Sequence, residues 1–136
     1  MMSEQQLALA RRICLLTGRG LLGLYFIVPG ISKITGFAET SAYMAAHNVP
    51  LIPVALVLTI ILQIGGGAAL AFGYRARTMA FMLAGLTIVI NLFMHNFWAM
   101  APGTEQAHEM QNFIKNLAIV AGLLAFAGSP LSEKSA

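Results

Sequence analysis

Asn91, His95 and Trp98 interrupt a long apolar run, and spacings of four and three residues put them on one face of a helix. An imidazole can pass a proton, a carboxamide offers both a donor and an acceptor, and an indole packs flat against a ring. Polar side chains in a membrane span are costly and face protein or a water-filled cavity. Arg19, Lys33, Gln63, Lys115 and Asn116, the other polar residues embedded in apolar sequence, therefore read as company for this face. Together these eight form a candidate ligand-binding set, with Phe97 and Tyr25 joining Trp98 at its rim. In such a set His95 or Lys115 would donate to a ring carbonyl while the aromatics pack the ring. A structural reading stands beside it. Trp98 and Lys33 would be interfacial anchors, Lys115 would snorkel to the headgroups, and Asn91, Gln63 and Asn116 would hydrogen-bond between helices. The pattern names no catalytic residue.

The elements that position these residues follow from composition. Of 136 residues, 58% are hydrophobic and 10% charged, against roughly 25% charged in a soluble domain. This is an integral membrane protein with a single domain over residues 1–136. Its expected fold is all-α, a four-helix transmembrane bundle in the lipid bilayer with a short interfacial helix between the first two spans. The expected spans are about 13–31, 51–72, 79–100 and 112–128, each near the length needed to cross a hydrocarbon core. In the first, Arg19, Gly23, Phe26, Gly30 and Lys33 make one stripe, and Pro29-Gly30 should kink or end the helix. Residues 36–48 are too polar to span and suit a helix lying at the interface. Gly65, Ala69 and Gly73 in the second span, and Ala118 and Gly122 in the fourth, have the small-residue spacing of close helix contacts. Glu105 to Gln111 reads as a polar connection.

Charge sets the expected orientation. Arg11, Arg12, Arg19, Arg75, Arg77 and Lys134 fall on one side, against Lys33 and Lys115 on the other. The positive excess marks the cytoplasmic face, so both termini are expected inside and the Glu105 connection outside. His95, Lys115, Asn116 and Lys33 then share a depth near the outer end, with Gln63 and Asn91 deeper.

Several chemistries find no support. A net charge of +3 from basic residues beside apolar runs does not suggest nucleic acid. Cys14, the single cysteine, allows no internal disulfide, CxxC pair or Cys zinc site. Glu105 and His108 have the E-x-x-H spacing of di-iron bundles, but a second copy and further carboxylates are missing, so no metal is expected. P-loop, Rossmann and haem-attachment signatures are absent, and no covalently bound cofactor is expected.

Taken in order, Arg19-Gly20-Leu21-Leu22-Gly23, Gly30-Ile31-Ser32-Lys33, Gln63-Ile64-Gly65-Gly66, Gly73-Tyr74-Arg75, His95-Asn96-Phe97 and Lys115-Asn116-Leu117 resemble the DoxX family of small bacterial membrane proteins. The likeness runs over roughly residues 16–128. It departs at Gln63, where the family often has a glutamate. The resemblance implies the cytoplasmic (inner) membrane and a link to thiosulfate:quinone oxidoreductase subunits and to quinone or thiol-stress responses. A quinone or similar hydrophobic ligand is then the expected small-molecule partner. A redox partner protein and a second copy of the chain are the expected macromolecular ones. The alternatives are a non-catalytic bundle that assembles or assists other membrane proteins, and a small-solute transporter formed on oligomerisation.

Overall fold

Ser3 opens the first helix through a capping box. Its hydroxyl accepts from the Gln6 backbone N–H at 3.2 Å, and its own N–H donates to the Gln6 side chain at 2.9 Å. The computed structural model describes residues 1–133, and every regular element among them is helical; Lys134, counted above with the cytoplasmic charges, lies outside the described residues. Helix α1 runs Glu4–Thr35, about 48 Å at 1.5 Å per residue. It begins about two and a half turns before the expected span, because the capping box and the helix formers that follow it extend it into the polar lead. Pro29 does not end it; it removes one backbone donor, and the helix resumes through Thr35. The expected stripe is largely the buried one: Arg19, Gly23, Phe26 and Gly30 face inward.

Helix α2 is Phe37–Ala46 and α3 is Ile52–Phe72. Inside α3 the segment Leu62–Gly66 winds as a π turn, which apolar periodicity does not signal. The extra residue rotates the small side chains, so within the monomer the close approach does not run through Gly65. A Cβ on Gly65 would meet nothing within 4 Å, whereas one on Gly23 would lie 2.7 Å from both the Gly67 carbonyl oxygen and Ala71 Cβ. The α1–α3 seam is thus Gly23 against Gly67 and Ala71. Gly122 also faces open space, so within the monomer it makes no close helix contact.

Gly73 ends α3 at φ +82°, and the Arg19 guanidinium fills the place where its Cβ would stand. Helix α4 is Ala76–Met94, and a 3-10 turn, Phe97–Ala99, follows His95 and Asn96. The last long helix, α5, is Thr104–Gly128, and a short α6 is Pro130–Glu133. Helices α1, α3, α4 (with its following turn) and α5 are each long and apolar enough to cross a membrane.

Helix α1 packs on α3, α3 on α4, and α4 on α5. The hydrophobic core lies toward the Arg75 end, where Leu70, Ala76, Ala80, Leu83, Val120, Leu123 and Ala127 are buried together. In the other half the buried side chains include Gln63, Thr87, Asn91 and Asn116. The division decides where a site can form: close apolar packing fills one end of the bundle, and the buried polar side chains gather at the other.

Candidate functional site

The α1 and α5 helices flank the open side of that second half. Between them lies a cleft of about 670 Å³. Tyr25, Pro29 and Lys33 of α1 form one wall, and Asn112, Lys115 and Asn116 of α5 the other. Gln63 of α3 and Thr87 of α4 form its floor, and His95 stands at its end. Five residues of the candidate set, Lys33, Gln63, His95, Lys115 and Asn116, therefore line one space.

A hydrogen-bonded chain crosses the cleft. The Tyr25 hydroxyl donates to Asn116 Oδ1 at 2.7 Å, Asn116 Nδ2 donates to Asn91 Oδ1 at 3.0 Å, and Asn91 Nδ2 donates to the Phe113 carbonyl at 3.0 Å. Asn91 is 1% exposed and does not line the cleft. The two asparagines engage each other, and with Tyr25 they tie α1, α4 and α5 together. Such interhelical bonds contribute about 0.6 kcal/mol on average and up to about 1.7 kcal/mol.

The α4 helix stops at Met94, and this separates the residues expected on one face. His95 closes the helix at φ −121°, ψ 43°, with its N–H still bonded to the Asn91 carbonyl. The carbonyls of Phe97 and Met100 accept from Gln106 Nε2 at 3.1 and 3.3 Å. A side chain from the next helix thus satisfies backbone groups that a continuing helix would have used. Trp98 consequently turns away: it is 55% exposed and meets Phe97 and Phe113 edge-on. Arg19 is also remote, held against Gly73 near the other end of the bundle.

Glu109 is the residue the sequence reading missed. Glu105 to Gln111, expected as a connection, lies in the first two turns of α5, which starts at Thr104. Glu109 therefore shares a helical face with Asn112 and Asn116. His95 Nδ1 donates to Glu109 Oε2 at 2.5 Å, which fixes the orientation of the ring. The spacing Glu109-x-x-Asn112-x-x-x-Asn116 was the available signal. Glu105 and His108, the pair with di-iron spacing, are both exposed. A second opening of about 740 Å³ adjoins the cleft at Lys33 and His95 and reaches Glu39 and Tyr43 of α2. Burial, and then the Glu109 carboxylate, pushes the Tyr43 phenol above its ordinary range and keeps it neutral.

The arrangement offers two ammonium groups, an imidazole backed by a carboxylate, and amide and phenol groups, and no carboxylate lines the cleft among the described residues. It suits an oxygen-rich, electron-donating head. The sequence of the DoxX family matches residues 14–96. The chain belongs to the DoxX family. The match includes Lys33, Gln63 and His95 of the DoxX cleft, while Glu109, Lys115 and Asn116 lie beyond it. The inner membrane protein YqjF of Escherichia coli (strain K12) is 39% identical over 82% of this chain and 80% of its own length. The inner membrane protein YphA of the same strain is 29% identical over 87% of this chain and 84% of its own. No solved structure matches this DoxX chain.

Proposed function

We propose that the cleft binds the oxygen-bearing head of a lipid-soluble molecule, a quinone or a compound of similar shape, within a membrane redox or oxidative-stress system. The observation that carries this reading is the convergence of Lys33, Lys115, His95 and Gln63 on one 670 Å³ space walled by Tyr25 and Phe26. Small-molecule sites fall in the range of roughly 300–1,000 Å³. The chain itself would bind and orient the head and hold a proton at His95. Electrons would come from a partner protein bringing its own cofactor.

The test is a titration of the detergent-purified protein with a water-soluble quinone analogue. Trp98 lies outside the cleft but packs on Phe113 of α5, the helix that forms one wall of it, and saturable quenching of its fluorescence is the readout; a Trp98-free protein supplies the background. His95→Leu should weaken binding about twofold to tenfold if the lost hydrogen bond is neutral, and up to more than a hundredfold if it is charged. Linear, unsaturable quenching in both proteins would mean that the analogue only partitions into the micelle, and the cleft would be abandoned as a site.

The completeness of the Tyr25–Asn116–Asn91 chain favours a second reading, a non-catalytic bundle that assists other membrane proteins. Co-purification separates the two: a bound lipid-soluble quinone supports the first, a stoichiometric protein without one the second.

The same proposal places the cleft end of the bundle outside the cytoplasm, with both termini inside. Cys14 is exposed and must first be replaced by serine. Cysteine at Thr104, exposed at the start of α5, should then react with an impermeant thiol reagent in whole cells. Cysteine at Tyr74, which is exposed in the Arg75 turn, should not. The reverse pattern would overturn the orientation.

A further inference from the structure

A cavity of about 200 Å³ lies beneath α2, lined also from α3 and α4. Its polarity is graded along the bundle. At the cleft end it is bordered by Lys33 of α1, Thr40 of α2 and Met94 of α4. From there it runs inward to Thr59 of α3 and to Leu86, eight residues before Met94 and so about 12 Å deeper along α4. The Thr59 hydroxyl donates to the Ala55 carbonyl at 2.8 Å, so the deep part is served within its own helix and is otherwise apolar. Val89 and Phe93, which line the cavity and are exposed, leave it a side open to the surrounding hydrocarbon.

Among the described residues Lys33 is the one charged side chain on this cavity, and no carboxylate pairs with it. Glu39 lies on the adjoining opening and not on the cavity. An ammonium group at the edge of an apolar space calls for an anion. A charged rim above an apolar shaft matches a bilayer lipid, with its head at the interface and its chain descending. An apolar cavity of about 150 Å³ holds one benzene ring, so this one has room for about eight carbons of a single chain.

We propose that the cavity holds one acyl chain of an anionic phospholipid, with the lipid phosphate on Lys33 and the second chain left in the bilayer. The chain alone gains little by entering, because lipid tails are as apolar as the residues that line the cavity. Selectivity therefore rests on the head and on Lys33. The cavity is a second site beside the cleft, with which it shares Lys33 and Ile90. A lysine ammonium has three donors, enough for a lipid phosphate next to a ligand in the cleft.

The test uses the full chain in nanodiscs of phosphatidylcholine with a trace of phosphatidylglycerol that carries a photoactivatable diazirine within one acyl chain. Phosphatidylcholine with the same labelled chain is the comparison. After irradiation, mass spectrometry reads labelling at Thr59 and Leu86 in the cavity, and at Leu21 and Leu24, exposed on α1, as the measure of bulk lipid. Labelling at Thr59 and Leu86 should exceed that at Leu21 and Leu24, and the phosphatidylglycerol probe should label the cavity about fivefold more than the phosphatidylcholine one. Lys33→Met should remove that preference. Ala55→Phe, which puts a ring into the cavity, should bring labelling at Leu86 down to the level of Leu21 with both probes. Equal labelling of the wild-type cavity by the two probes, as when any chain fills it, overturns the proposal. So does a preference that persists in Lys33→Met, or labelling at Leu86 no stronger than at Leu21 in wild type. Stronger competition by added oleate than by the same amount of phosphatidylglycerol would give the cavity to a free fatty acid and also overturn it.

Discussion

Gly23→Val should destabilise the bundle by about 3 kcal/mol, the upper part of the usual range for overpacking in a close-packed interior. The first atom added is already too close, with Cβ 2.7 Å from both the Gly67 carbonyl oxygen and Ala71 Cβ. One of these is backbone, so no rotamer change relieves the contact, and α1 and α3 must move apart. That movement would also loosen Phe26 and Leu70, both buried in the core. Gly65→Val is the control: its Cβ would meet nothing within 4 Å, and the cost should stay within about 0.5 kcal/mol, as for other substitutions away from packed contacts. Thermal unfolding in detergent, followed by Trp98 fluorescence, measures both. Equal destabilisation by the two valines would refute the Gly23–Gly67 seam and restore the one that spacing alone suggests.

Lys33→Met should reduce affinity for a quinone analogue roughly 10- to 150-fold, from the 1.5–3 kcal/mol typical of a hydrogen bond to a charged group. Lys33 lines the cleft, the adjoining opening and a smaller apolar cavity of about 200 Å³ behind them. No carboxylate pairs with it among the described residues. Its charge is therefore available to a ligand oxygen in a partly desolvated setting. Lys115, although on the same cleft, is exposed, and Lys115→Met should cost less because solvent screens its charge. Arginine at Lys33 should not restore binding fully, since a planar fork replaces a compact donor. The titration described for His95→Leu reads all three variants. Wild-type affinity in Lys33→Met, or a larger loss in Lys115→Met, would move the head group away from α1.

Much of the architecture was legible in order along the chain because a bilayer imposes a length and an apolar composition on anything that crosses it. The second span, expected over residues 51–72, is Ile52–Phe72, and the buried stripe Arg19, Gly23, Phe26, Gly30 follows from helical spacing alone. The helix ends were harder. The Ser3 capping box was present in the sequence, but hydropathy does not register it. At the other end of the bundle, α4 stops at Met94 and Gln106 bonds the carbonyls of Phe97 and Met100 beyond it, and no local pattern announces a partner in the next helix.

The sequence by itself determined the class of molecule, its helices and the small set of polar residues embedded in them, since each follows from local composition and period. Only the tertiary structure decided which of those residues meet. It places Lys33, Gln63, His95, Lys115 and Asn116 on one cleft, removes Trp98 and Arg19 from it, and brings Glu109 to His95. The physical reason is rotation: one extra residue in the π turn and one helix end at Met94 re-aim side chains by amounts that periodicity, which assumes an unbroken helix, does not contain.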